Sequence, residues 1–164
     1  MISKKVKKLM LDQITMEFQA AHDYKGMEIC FLNKGLDGFA HWFNKQSQEE
    51  IEHAYRFINF LNSVNESIDN LDKLDAANVK FTNIRDVFEA SLKQEQMVTQ
   101  SIWKIIEAAE KDKDYASRQM LDWFISEQVE EENSVQRILD ALDLVGDEHI
   151  GIYELDKKLG KRED

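Results

Sequence analysis

Glu50 and His53 stand three residues apart in Glu49-Glu50-Ile51-Glu52-His53-Ala54. On a helix that spacing puts a carboxylate and an imidazole on one face, where both can reach one metal ion. Three further glutamates, Glu17, Glu95 and Glu131, share a peculiarity with Glu50: each interrupts an apolar stripe of helical period near its middle. The stripes read Met10, Gln13, Glu17, Ala20, Tyr24, Met27, Phe31; then Phe39, Phe43, Gln46, Glu50, His53, Phe57, Phe60, Val64; then Ile84, Phe88, Ser91, Glu95, Val98, Ile102, Ile105, Ala109; and Leu121, Phe124, Gln128, Glu131, Val135, Ile138, Leu142, Val145. Packed together, their midpoints meet at one level, so Glu17, Glu50, Glu95 and Glu131 converge with His53 and Gln128.

Burying one unpaired carboxylate costs several kcal/mol, and several close together repel. No lysine or arginine lies on the stripes near them. Two divalent cations carry the charge that four glutamates need. Oxygen ligands with one imidazole and no thiolate suit Fe(II) or Mn(II), and zinc can bind such a set. The plainer alternative is a polar layer that fixes helix register, as single buried asparagines do in coiled coils. One polar residue per stripe fits that alternative; four glutamates at one level call for counter-charge.

The elements that must position these residues are helices. The 164 residues contain no proline and six glycines, which long uninterrupted helices permit and a β-rich domain would not. Periodicity predicts helices over Ser3–Asn33, Phe39–Val64, Thr82–Glu110 and Tyr115–Val145, and a fifth over Asp147–Leu159 capped by Asp147. Short turns make the first two, and the third and fourth, antiparallel hairpins. The Asn65–Lys80 connection can reach roughly 50 Å when extended, more than the roughly 39 Å of a 26-residue helix. It can therefore leave the second and third helices parallel. The expectation is one all-α domain over 1–164, a four-helix bundle over about 3–145 with one long crossover and a short C-terminal fifth helix.

Lys plus Arg number 21 and Asp plus Glu 32, a formal charge of −11 that repels nucleic acid and anionic lipid and favours cations. No apolar run reaches the length of a membrane span. The single Cys30 excludes an intramolecular disulfide or a Cys-based zinc site and suits a reduced, cytoplasmic setting.

Other residues are more ambiguous. Tyr24 lies two turns after Glu17 on the same face and is either a site residue or a core tyrosine. Glu49, Glu127 and Glu130 sit beside stripe positions, as a wetter metal site or a solvated acidic face. His22, His41 and His149 read as surface or packing histidines, and Trp42, Trp103 and Trp123 as packing residues.

The ordered set resembles the bacterial non-haem ferritins: Glu17 with Tyr24, the Glu49–Ala54 segment, Glu95-Gln96, Ser126-Glu127-Gln128-Val129-Glu130-Glu131-Glu132, and the tail Gly151-Ile152-Tyr153-Glu154-Leu155-Asp156. The resemblance covers Glu17 to Leu159 and implies a ferritin-like fold with a ferroxidase centre in each subunit. Glu17, Glu50 and His53 would hold one iron and Glu50, Glu95 and Glu131 the second, with Glu50 bridging. Gln128 would sit beside the second iron, and Tyr24 would be a redox-active or hydrogen-bonding neighbour. Glu49, Glu127 and Glu130 match a third iron site of bacterial members. Fe(II) with O2 or hydrogen peroxide are the implied reactants, and a shell of twenty-four copies storing ferric oxide-hydroxide is the implied assembly. In similar proteins the fifth helix lies at the four-fold axes.

Neighbouring groups fit less well. Ile51 stands where bacterioferritins carry a haem-ligating methionine, so no haem is expected. The fourth helix has Glu127-x-x-Glu130 and Gln128-x-x-Glu131 in place of a second Glu-x-x-His, unlike di-iron oxygenases. One cysteine excludes a rubrerythrin-type iron domain, and the four-helix ligand set disfavours mini-ferritins, whose irons lie between subunits. A role mainly in oxidative-stress defence, or a non-catalytic structural protein on the same fold, are the remaining alternatives.

Overall fold

The computed structural model describes residues 2–163, all-helical in their regular structure; the two end residues of the expected 1–164 domain lie outside the described residues. The helices are α1 (Lys4–Leu32), α2 (Asp37–Ser63), α3 (Ile84–Lys111), α4 (Tyr115–Val145) and α5 (His149–Leu159). Side chains cap three of them at the start: Ser3 accepts from the Val6 amide, Asn83 from Asp86 and Asp114 from Ser117.

The boundaries differ from periodicity in instructive places. α2 starts at Asp37, because Gly38, taken as a turn residue, is helical. α3 starts after the Asn83 cap, not at Thr82. α5 starts at His149 behind Glu148, neither of which is the expected Asp147 cap, and Glu148 makes no side-chain cap bond. Apolar periodicity does not distinguish a capping side chain from an acidic neighbour.

Contacts fix the topology. Lys7 near the start of α1 pairs with Glu66 just beyond α2 at 2.8 Å, so α1 and α2 are antiparallel. Phe88 near the start of α3 packs on Phe39 and Phe43 near the start of α2, with ring centroids 5.8 and 5.0 Å apart. Farther along α2, Phe57 stacks on Phe124 at 4.5 Å, and Gln46 meets Glu131, so α4 runs against α2. α2 and α3 are therefore parallel, as the crossover length allows.

The crossover follows α1 along its length. After the Lys7–Glu66 pair, Gln19 accepts from the Asp75 amide at 2.7 Å and donates to its carbonyl at 3.2 Å. Next comes Gly26, where a Cβ would lie 2.4 Å from the Asn78 carbonyl oxygen. Lys34 Nζ then reaches the Phe81 carbonyl at 3.4 Å.

The core is split in two. Val6, Met10, Ile14, Phe57, Leu61, Ile102, Ile105, Leu121 and Phe124 pack at one end. Phe31, Phe39, Trp42, Phe43, Phe88, Leu139, Leu142, Leu155 and Leu159 pack at the other. Each fully buried aromatic side chain stabilises by roughly 1.5–3 kcal/mol, so the two clusters clamp whatever lies between them. Trp103 is a correction: expected to pack, it is 52% exposed, because it lies off the α3 stripe.

α5 crosses the start of α2, where Asp156 accepts from the Phe39 amide at 2.9 Å. A Cβ on Gly38 would lie 1.7 Å from the Asp156 carbonyl oxygen. Gly38→Ala must push α5 outward and is expected to cost about 1–3 kcal/mol. Hydrogen exchange checks this: amides over 149–160 should exchange faster than in the parent, and unchanged protection there refutes the tight crossing.

Candidate metal centre

Between the two apolar clusters lies a buried polar layer fed by all four long helices. Glu17 is 0% exposed, Glu50 1%, His53 3%, Glu95 1%, Gln128 3% and Glu131 5%. Tyr24, Gln13, Gln46 and Ser91 are also fully buried there. The stripes made this possible: a glutamate on the core side of a long helix cannot reach solvent when apolar turns flank it on both sides.

Ligand atoms of Glu17, Glu50 and His53 come within 4.8 Å of one another, and so do those of His53, Glu127 and Glu131. His53 joins the groups: Nδ1 lies 3.3 Å from Glu50 Oε2, and Nε2 lies 3.5 Å from Glu127 Oε1. Tyr24 donates from its hydroxyl to Glu95 Oε1, and Ser91 Oγ lies 3.2 Å from the same hydroxyl. Gln128 Nε2 donates to Glu95 Oε2 at 3.2 Å. Thus Glu95, Tyr24 and Gln128 form one contact set, while Glu131 takes a hydrogen bond from Gln46 at 2.8 Å.

Two carboxylate oxygens are left over. Glu17 Oε1 accepts from Gln13 at 2.9 Å, but Glu17 Oε2 and Glu50 Oε1 are buried without a hydrogen-bond partner. Leaving such groups unmatched is costly. Carboxyl oxygens that converge beside an imidazole, with no donor near them except a proton that Glu17 and Glu50 share between themselves, fit a cation with hard-oxygen preference.

The electrostatics agree with that fit. Burial pushes the Glu17 carboxyl up. Burial, then the Glu95 charge, pushes Glu50 well up. Burial and the Glu131 charge raise Glu95 to about 8. Burial raises Glu131 to about 7, against the opposing hydrogen bond from Gln46. Burial alone would lower His53, but hydrogen bonds to Glu127 and Glu50, and the Glu50 and Glu17 charges, carry it up to about 11. Burial and the Glu95 charge hold the Tyr24 phenol well above its usual value. Without a cation the layer retains protons; a bound cation would exchange for them.

Glu49, Glu127 and Glu130 share one cavity, but the tight ligand group there is His53, Glu127 and Glu131. Glu127 is half-buried against His53, Glu130 is exposed, and Glu49 pairs with Arg162 at 2.6 Å. The four histidines divide the same way: His22 and His149 are exposed, and His41 Nε2 donates to the Arg162 carbonyl at 2.6 Å. Gln13 and Gln46 support Glu17 and Glu131, and their sequence signal is a place on the stripes one turn before a glutamate. Arg162 reaches Gln46 and Glu49 from outside every periodic segment and carries no sequence signal. Trp123 packs as expected, edge-to-face with His53 at 5.4 Å and with the Arg56 guanidinium over its ring at 3.6 Å.

Comparison with known proteins places this geometry. Residues 7–145 match the ferritin family, described as a ferritin-like domain. The chain is 35% identical over 162 residues to a bacterial non-heme ferritin of Staphylococcus aureus strain USA300, covering 99% of this chain and 97% of that one. A bacterial non-heme ferritin of Staphylococcus epidermidis is 36% identical over 165 residues, with the same coverage. Among solved structures, an open-pore ferritin from the archaeon Archaeoglobus fulgidus superposes with a TM-score of 0.97 at 32% identity, over 99% of this chain and 100% of that one. A humanized archaeal ferritin superposes equally well, with a TM-score of 0.97 at 32% identity over both whole chains.

Proposed function

The chain belongs to the ferritin family, and on that premise we propose that it oxidises Fe(II) at a two-iron centre and stores the product inside a shell of its own copies. The observation that carries the reading is the pair of unmatched buried oxygens, Glu17 Oε2 and Glu50 Oε1, beside His53.

Fe(II) is substrate here. Glu17, Glu50 and His53 take one ion, Glu50, Glu95 and Glu131 the second, and Glu50 bridges. Gln128 stays beside the second ion through its bond to Glu95. Tyr24 holds Glu95 by its hydroxyl, which burial keeps protonated. Two ions can then deliver two electrons to one O2 or one hydrogen peroxide, each accepting two protons. Anionic oxygen ligands favour the harder Fe(III) over Fe(II), which drives the oxidation. The apolar clusters on either side exclude water, so the charges act at full strength. Glu49, Glu127 and Glu130 offer a third, more open site leading off His53, and α5 packs where related shells place their four-fold contacts. No helix among the described residues is long and apolar enough to cross a membrane.

The direct test is to load iron-free protein with a large excess of Fe(II) in air and pass it through a sizing column. Iron is expected to co-elute with a large soluble protein peak. Iron that precipitates while the protein elutes as monomer or dimer overturns the storage reading.

A further inference from the structure

Beside the centre a cavity of about 560 Å³ is lined by Glu49, Glu127, Glu130 and Glu131, with Arg137 of α4 and, from the C-terminal side, Lys158, Lys161 and Arg162. Arg162 lies just past α5, and its guanidinium spans two side chains of α2. Nη1 donates to Gln46 Oε1 at 2.5 Å, and Nη2 donates to Glu49 Oε2 at 2.6 Å. Two more contacts hold the residue in place: its guanidinium carbon lies 5.2 Å over the Trp42 ring, and its carbonyl accepts from His41. The ion pair is mostly sheltered, with 17% of the Arg162 side chain and 26% of the Glu49 side chain exposed. A sheltered charged pair of this kind, steadied by a second hydrogen bond from the same guanidinium to Gln46, is stronger than a surface one.

Two consequences follow from the same guanidinium. Because it occupies Gln46 Oε1, it turns the amide so that Nε2 faces Glu131, which accepts at 2.8 Å. It also holds Glu49 apart from the His53, Glu127 and Glu131 group, whose ligand atoms do converge. The glutamates of this cavity face positive charge before any metal arrives, and of the cations that line it Arg162 is the one paired with Glu49.

We infer that Arg162 is the resident counter-cation of Glu49 in this cavity: its guanidinium holds Glu49 away from a third metal ion, which binds only by displacing it. This rests on the two-ion reading above, since the third ion is counted relative to the first two. Arg162 is a positioning residue in this scheme, acting through Glu49 and Gln46. A nearby unit charge of like sign weakens cation binding by roughly tenfold to a hundredfold at this kind of separation.

Zn(II), which does not change oxidation state, serves as the probe in calorimetric titrations of iron-free protein. In R162A the third ion is expected to bind at least roughly tenfold tighter than in the parent, judged against the first two ions in the same titration. R162K keeps the charge but cannot span Gln46 and Glu49 together, so it is expected to fall between the two. A purely structural role for the tail would loosen α5 without tightening any metal site. A third-ion affinity in R162A within twofold of the parent overturns the inference. A parent protein that fails to bind even two ions overturns the two-ion reading instead. Zinc-soaked crystals of the parent give an independent check: with the third site filled, Arg162 should have left Glu49, and a filled site with the pair intact overturns the inference.

Discussion

Glu50→Ala is expected to abolish the rapid phase of Fe(II) oxidation, slowing it by roughly two orders of magnitude or more, while the protein still assembles. Glu50 combines two features that Glu17 and Glu127 each show only singly. Its Oε1 is buried and unmatched, and its Oε2 lies 3.3 Å from His53 Nδ1. Removing it deletes the proposed bridge and the partner that orients the imidazole. The remaining ligands would hold two ions only at unconnected positions, so concerted delivery of two electrons is lost. Folding should survive, because Glu50 is a carboxyl whose charge is disfavoured by burial and by Glu95. Loss of it leaves a small cavity but also removes a source of repulsion. Stopped-flow absorbance of the ferric product measures the rate, and a sizing column measures assembly. A rapid phase within a few-fold of the parent would remove Glu50 from the reaction. Loss of both rate and assembly would make its role structural, and Glu50→Gln, with the same shape, then separates folding from chemistry.

Much of this centre is legible in the sequence because helices are local. A 3.6-residue period fixes which side of each helix faces inward, and the interrupting glutamates mark where the polar layer falls. The crossover length then orients the hairpins, since a chain too short to span the bundle could not leave α2 and α3 parallel. What stays hidden depends on contacts between residues far apart in sequence. The 2.6 Å pair between Arg162 and Glu49 joins residues 113 positions apart, and no periodicity points to it. Glu127 lines one cavity with Glu49 and Glu130 and also faces His53, a contact that periodicity does not reveal because a residue at the stripe edge can point either way. The sequence likewise gave no sign that Gln46 supports Glu131, though its place on the stripe was visible. Trp103 shows the opposite error: a large apolar residue next to a stripe need not join the core.

The same raised carboxyls make the metal-free protein less stable as pH rises from about 5 to 9. Glu131 and Glu95 begin at 4.5 in the unfolded chain and stand at about 7 and about 8 in the fold. Below 4.5 both states hold these protons, and the fold carries no penalty. As pH climbs, the unfolded chain releases protons that the fold must keep, and each unit costs up to about 1.4 kcal/mol per group until the folded values are passed. His53 acts in the same sense: raised from 6.5 to about 11, it stabilises fully below 6.5 and loses that contribution as pH rises toward 11. The summed effect is on the order of 10 kcal/mol per subunit by pH 9. Bound metal reverses the balance, since it takes carboxylates in their ionised form and competes better as protons become scarce. Scanning calorimetry with chelator, against the same protein saturated with Zn(II), should show midpoints that diverge steadily from pH 5 to 9. Glu95→Gln removes one of the two raised carboxyls and should flatten the metal-free slope. A metal-free midpoint that is flat or rises with pH would mean the glutamates are not held neutral in the core, and the charge argument for a two-ion centre would lose its footing.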